Sequence, residues 1–290
     1  MTRPPPPIAF TLVELLVVVS IISVLISMLT PAIEQSFEEA RKAVCATNLH
    51  AVHMGVLDYA QLSNGRLTPP YPGNPSRIQV ALDRDSAARL SLVGLTSREK
   101  EDRGAMDYNS GMMVPYLGHQ ASPVWDCPSR NFKSQWEMNV PNHPDDEYHQ
   151  LVLGYQYLGG IETWYNPDPA NSTPTVQRIF ESYSPVTVPT SRGSWVLAAD
   201  ATVKLTRTQT ADWNDGRPSA FVGLPPHKIG GRKVLPAGGN QVHMDGSVAW
   251  IKFVDMYWYH SWGSGTTRPS FFYQPDAGGL AYWPAKDYNR

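Results

Sequence analysis

A chain of 290 residues with 24 Lys+Arg against 26 Asp+Glu carries a formal net charge of −2, which excludes a basic nucleic-acid footprint and an acidic disordered tail. Hydrophobic residues reach 42% and charged residues only 17%, enough apolar material for one large domain or two small ones, while 22 Gly and 26 Pro argue against a helical bundle. The two cysteines, Cys45 and Cys127, are too few for a disulfide scaffold or a cysteine zinc site.

The first informative element is the uncharged run Leu15 to Ile33, apolar on every face. As a helix it spans roughly 28 Å, close to the hydrocarbon thickness of a bilayer. Such a helix belongs in a membrane or a deep core. A secretory signal peptide would use Arg3 as its charged region and be cut near Met28–Ala32, but Glu14 heads the apolar run and no small-x-small site follows it. A plain membrane anchor leaves Glu14 as a cost of about a few kcal/mol.

Phe10-Thr11-Leu12-Val13-Glu14-Leu15-Leu16-Val17-Val18 resembles the class III signal of type IV pilins and type II secretion pseudopilins. The resemblance implies a leader over residues 1–9, a cut between Ala9 and Phe10, and N-methylation of Phe10. It also implies a role for Glu14 in assembly. The new α-ammonium of Phe10 and the carboxylate of a neighbouring subunit's Glu14 would neutralise each other in a low-dielectric setting. Pro31 stands where many pilins have a helix-kinking proline. Ala9 replaces the family's usual Gly before the cut, and the leader has one basic residue and a proline run.

Beyond Pro31 an amphipathic pattern runs through Ile33, Phe37, Ala40, Val44, Ala51 and Val52, with Glu38 and Lys42 as an i,i+4 pair on the wet face. Asn64-Gly65 marks the stop. The organisation expected is a leader 1–9, a pilin helix 10–64 that crosses the membrane over about 12–31, and an exported head 65–290. The fold class that follows is α+β: a long N-terminal transmembrane and amphipathic helix on an antiparallel β-sheet with long loops.

In the head, Thr68 to Pro75 is a turn-rich exit, Ser86 to Arg103 reads as one or two short helices, and Leu151–Leu158 and Trp195–Asp200 read as strands. Asp245-Gly246 inside residues 240–253 predicts a two-residue hairpin turn. Alternation then puts Val242, Met244, Ala249, Ile251 and Phe253 on a core face, and His243, Val248, Trp250 and Lys252 on the other. This stretch carries a second resemblance, to large pilin-like proteins with a C-terminal His-x9-Asp-Gly signature. Gly238-Gly239-Asn240 and Asp245-Gly246-Ser247-Val248 match its hairpin, as Cys45-Ala-Thr-Asn48-Leu49 and Cys127-Pro-Ser129 match other segments. Leu235 stands where the signature has its His; His227 lies further upstream, across a Gly-rich insertion at 230–236 that accounts for the offset.

No catalytic or metal-ligating motif emerges. His227, His243, Asp200 and Asp245 lack any His-x-x-x-His, Gly-x-Ser-x-Gly or EF-hand spacing, and Asp245 reads as a turn residue. No cofactor is expected beyond a structural calcium, for which Asp276, Asp287 or the Asp212-Trp-Asn-Asp215 loop would supply oxygens. Cys45 and Cys127 are candidates for a disulfide after export, worth roughly 4–5 kcal/mol in the chain-entropy model. The late aromatics Trp258, Tyr259, Trp262, Phe271, Phe272, Tyr273, Tyr282 and Trp283 read as cover for a sheet, with a carbohydrate- or protein-binding surface as the other reading.

The pilin resemblance implies a single-pass bacterial inner-membrane protein with a cytoplasmic N-terminus and a periplasmic or filament-borne head. It would not be an enzyme. Its partners would be a prepilin peptidase, other pilin-like subunits with their assembly machinery, and inner-membrane lipid, with no nucleic acid. It would enter a type II secretion pseudopilus or a type IV pilus-like filament, as a minor subunit on grounds of size. The alternative is a membrane-anchored periplasmic binding or hydrolytic head that borrows the export signal.

Overall fold

The computed structural model describes residues 11–71, 80–97, 105–107, 113–114, 120–130, 133–138, 150–167, 177–204, 213, 223–229, 235–262, 268–277 and 283–284. The chain divides into two compact units, Met1–Ala40 and Arg41–Arg290. A single helix, α1 (Leu12–Leu62), runs from the first into the second.

In the first unit, residues 11–37 are exposed along their whole length, and the helix is long and apolar enough to cross a membrane. Its few hydroxyls are satisfied internally. Ser20 Oγ donates to the Leu16 carbonyl at 2.7 Å, Ser23 Oγ to Val19 at 2.8 Å and Thr30 Oγ1 to Ile26 at 2.9 Å. An apolar setting demands that economy, because an unmet polar group there costs several kcal/mol, on the order of a lost hydrogen bond or more. Pro31 has no N–H, so the Ser27 carbonyl lacks its usual amide donor, yet the helix runs on without a break.

In the second unit, α1 buries Cys45, Leu49, Val52, His53, Val56, Tyr59 and Ala60, a stripe at three- and four-residue spacing. The stripe expected from sequence is displaced: Ile33, Phe37 and Val44 remain exposed, and of its members only Val52 is fully buried. Helical periodicity was the right signal, but the partner that chooses the buried face covers α1 only from Cys45 onward. The helix ends at Leu62, and the Gly65 N–H returns to the Ala60 carbonyl at 2.7 Å.

After α1 come short strands. β1 (Ala81–Leu82), β2 (Thr96–Ser97), β3 (Ala105–Asp107), β4 (Met113–Val114), β5 (Gln120–Ala121), β6 (Gln135–Met138) and β7 (Gln150–Val152) form a sheet of order β1-β7-β6-β3-β4 and a separate β2-β5 pair. The helical expectation for Ser86 to Arg103 is corrected. α2 spans Arg84–Leu90 and a 3-10 turn Ser91–Val93, after which the chain pairs as β2; residues 98–104 lie outside the described set. Gly94, in the left-handed region at φ 74, closes the helical segment.

Leu151–Leu158 is likewise two strands and not one. β7 joins β1 and β6, whereas β8 (Tyr155–Tyr157) joins β11 (Val196–Asp200) in another sheet. The chain switches sheets at Gly154, where a Cβ would stand 2.3 Å from the Trp125 carbonyl oxygen, so no side chain fits there. β9 (Thr163–Pro167) and β10 (Gln177–Glu181) pair as a ribbon, and β12 (Lys228–Ile229) pairs with β13 (Leu235–Pro236).

The main sheet has the order β15-β14-β11-β8, all antiparallel, with β14 (Gly238–His243) and β15 (Val248–Lys252) forming the hairpin. The two-residue turn expected there is corrected. His243 and Ser247 flank three loop residues, Met244-Asp245-Gly246; the Gly246 N–H bonds the His243 carbonyl at 3.0 Å, and Gly246 takes φ 84. This is a type I turn closed by a left-handed residue. The extra residue shifts β15 by one step, so Val242 faces Val248 and Asn240 faces Trp250, while Gln241 faces Ala249. The face assignment made from sequence therefore fails for β15 as a whole.

Both faces of β11 are buried. Leu197 and Ala198 join the core under α1, together with Cys45, Leu49, Val56, Tyr155, Tyr157 and Val242. Val196 and Ala199 join an aromatic cluster on Trp164, Tyr259 and Phe272. A third cluster holds Trp213, Phe253, Trp258 and Phe271. Several of these aromatics come from β16 (Tyr257–Trp262) and β17 (Arg268–Phe272), which pair with each other; β18 (Trp283–Pro284) flanks β16. Trp258, Tyr259, Phe271 and Phe272 are thus core residues; Tyr282 lies outside the described set.

Candidate functional site

Phe10 and the leader lie outside the described residues, which begin just after the expected cut. At the start of α1, Thr11 and Glu14 form a reciprocal cap. Glu14 Oε2 accepts from the Thr11 N–H at 2.8 Å and from Thr11 Oγ1 at 2.7 Å, and the Glu14 N–H reaches Thr11 Oγ1 at 3.3 Å. This is the capping-box arrangement. Within one chain Glu14 is exposed and occupied in closing its own helix end.

In the head, four side chains that are distant in sequence converge. Cys45 comes from α1, Cys127 from the turn before a 3-10 helix Pro128–Arg130, Asp200 from the end of β11, and His227 from the residue before β12. One ligand-type atom from each lies within 4.8 Å of all the others. The two sulfurs are 3.0 Å apart with both thiols free, His227 Nε2 is 3.1 Å from Asp200 Oδ2, and Cys127 Sγ is 4.0 Å from the same nitrogen. All four residues are at most 1% exposed.

Surrounding groups hold the four in place. Asp200 Oδ2 accepts from the Asn240 N–H at 2.6 Å and from Asn240 Nδ2 at 3.2 Å. Asn240 Nδ2 also donates to the Lys42 carbonyl at 3.1 Å, which ties β14 to α1. The Tyr155 hydroxyl accepts from Asn48 Nδ2 at 3.2 Å. The His227 ring stands edge-on to Trp250, which in turn lies under Lys42 Nζ at 4.3 Å.

The electrostatics follow from this crowding. A hydrogen bond from the Cys127 thiol holds Cys45 down at about 7, against the opposing effect of burial. The same contact, together with burial and the Asp200 charge, pushes Cys127 up. One proton shared between two sulfurs favours a thiolate on one and a thiol on the other. Burial likewise pushes the Tyr155 phenol far up, so it stays a donor.

Of the residues singled out from sequence, Cys45, Cys127, Asp200 and His227 meet. His243 and Asp245 do not join them. His243 is half-buried, with Gln241 Nε2 3.0 Å from its ring, and Asp245 accepts the Ser247 N–H at 2.9 Å as a turn residue. The Ser247 side chain, with its N–H, holds the Asp245 carboxyl below the usual range. The loop rests on α1, where His53 Nε2 lies 3.0 Å from the Met244 carbonyl. Asp276 is taken up by Ser194 Oγ at 2.5 Å and Arg192 at 3.7 Å, and the other acids considered for calcium lie outside the described residues.

The Gly-rich insertion after His227 is closed off by the β12–β13 pairing. The Ala237 N–H returns to the His227 carbonyl at 2.9 Å, so the chain re-enters β14 from the place where it left. Sequence spacing hid the cluster because each of its members stands on a different element; Asn240, which the sequence placed only in the hairpin signature, orients Asp200. Compared with known proteins, the chain matches no family model, no curated protein and no solved structure.

Proposed function

We propose that this chain is a prepilin-like membrane protein. It is cut between Ala9 and Phe10, methylated on Phe10, and assembled as a minor subunit of a type II secretion pseudopilus or type IV pilus-like filament. The observation that carries the reading is a Phe-Thr-Leu-Val-Glu run feeding directly into one helix whose first part is wholly exposed and apolar and whose second part is the spine of an antiparallel head. An exposed apolar helix needs lipid or other copies of itself as cover.

Glu14 then has two roles in turn. In the free subunit it caps its own helix; in the filament its carboxylate meets the α-ammonium of a neighbouring Phe10, a pairing that rewards one axial register and leaves two bare charges in any other. The chain acts in this reading as a substrate of a prepilin peptidase in the inner membrane, with its head on the far side, and is not itself an enzyme. A hydrolytic head built on the converging side chains is disfavoured, because Cys45, Cys127, Asp200 and His227 are all buried.

Intact-mass and N-terminal peptide mass spectrometry on the protein from its native membrane tests this. The expected mature chain starts at Phe10 and carries one added methyl. A start near residue 30 makes it a secreted protein, and an uncut Met1 makes it an anchored head; either result overturns the proposal.

A further inference from the structure

We infer that Cys45, Cys127, Asp200 and His227 bind one zinc ion as a buried structural centre that clamps α1 to the sheet. Two sulfurs, one imidazole nitrogen and one carboxylate oxygen form a four-ligand set of the kind that zinc takes in closed tetrahedral sites. With zinc about 2.3 Å from sulfur and about 2.0–2.2 Å from nitrogen and oxygen, a tetrahedron spaces its ligand atoms roughly 3.3–3.8 Å apart. The separations of 3.0, 3.1 and 4.0 Å, with every pair of ligand atoms within 4.8 Å, lie around that range, so rotamer adjustments of about 1 Å at each ligand admit the ion.

Three observations favour an ion over a simple bridge between the cysteines. A disulfide would use two of the four side chains and leave a carboxylate and an imidazole buried beside it. Asp200 Oδ2 carries the Asn240 contacts and faces His227, while Oδ1 is buried with no hydrogen-bond partner among the described residues, a costly state that a cation held by this carboxylate relieves. The supporting contacts are also those a metal site requires. The Asn240 N–H and amide fix the Asp200 carboxylate, and the same amide ties it to α1 through the Lys42 carbonyl. On binding, the ion takes both sulfurs as thiolates and the thiol protons leave to solvent, so affinity rises with pH.

The centre is independent of the filament reading, since it lies wholly in the second unit and keeps its ligands whichever N-terminus the mature chain carries. The test uses the full chain, exported to an oxidising compartment, purified in detergent without chelator or a polyhistidine tag. Elemental analysis is expected to find about one zinc per chain, falling to a small fraction in Cys127→Ser and His227→Gln. Because those variants can fail to fold, the wild-type chain is also stripped and titrated with cobalt. Visible bands of a tetrahedral cobalt site, with a thiolate-to-cobalt charge-transfer band saturating at one equivalent, are expected. Metal-free protein whose cysteines are joined to each other, or which carries two free thiols and takes up no cobalt, overturns the inference.

Discussion

At the residue scale, the two tyrosines of β8 separate packing from hydrogen bonding. Tyr155 and Tyr157 are both fully buried, but the Tyr155 hydroxyl accepts from Asn48 Nδ2 whereas the Tyr157 hydroxyl has no partner among the described residues. Removing an unpartnered buried hydroxyl relieves a desolvation cost, while removing a bonded one strands its partners. Thermal melts of the purified chain are expected to show Tyr157→Phe neutral or stabilised by up to about 1 kcal/mol, and Tyr155→Phe destabilised by about 1–2 kcal/mol; equal losses would refute the distinction. Asp83 offers a pH test. It caps α2 by accepting the Ser86 N–H at 2.7 Å, and burial raises its carboxyl above the usual aspartate range. The folded state therefore holds this proton more tightly than the unfolded chain, so the contribution of Asp83 to stability is full at low pH and falls as pH rises through its folded pKa. Asp83→Asn keeps the acceptor without the charge and is expected to remove that slope at little cost, whereas Asp83→Ala loses about 1 kcal/mol with the cap. An Asn variant as unstable as the Ala variant would contradict this account.

At the scale of elements, α1 is one helix with two environments. Leu49 is fully buried against the sheet and Phe37 is 61% exposed. Leu49→Ala is expected to cost the head about 2–5 kcal/mol, the range for a cavity in a close-packed core. Phe37→Ala is expected to leave the melting of the head within about 0.5 kcal/mol of the parent, as for an exposed site. A loss at Phe37 matching that at Leu49 would put the buried face where the sequence pattern alone had placed it. The helix itself was legible: its apolar run and its stop near Asn64 are both local signals, whereas the Thr11–Glu14 cap emerged only from the structure. The buried face was not, because periodicity in Ile33, Phe37 and Val44 describes any helix with apolar residues on one side and does not name the partner. The hairpin repeats the lesson. Asp245-Gly246 announces a turn, but whether the loop holds two residues or three depends on how Met244 and Gly246 settle against His53 of α1, and that single residue inverts the faces of β15.

At the scale of the whole molecule, the head is layered: α1 on one face of β11, aromatic clusters on the other, with Cys45, Cys127, Asp200 and His227 converging where α1, β11 and the loops meet. By itself the sequence determined what neighbours along the chain can settle. An apolar stretch of bilayer length, a long helix, a β-rich head and a turn at Asp245-Gly246 each arise from interactions within a few residues. Tertiary structure alone decided that a cysteine on the helix, a cysteine just before a 3-10 helix, an aspartate at a strand end and a histidine before the β12–β13 pair share one buried volume. These side chains have no periodicity in common. What joins them is the antiparallel register of β8, β11 and β14 and the packing of α1 upon it. Those long-range pairings are set by burying apolar surface over the whole head, not by any motif that a linear reading can follow.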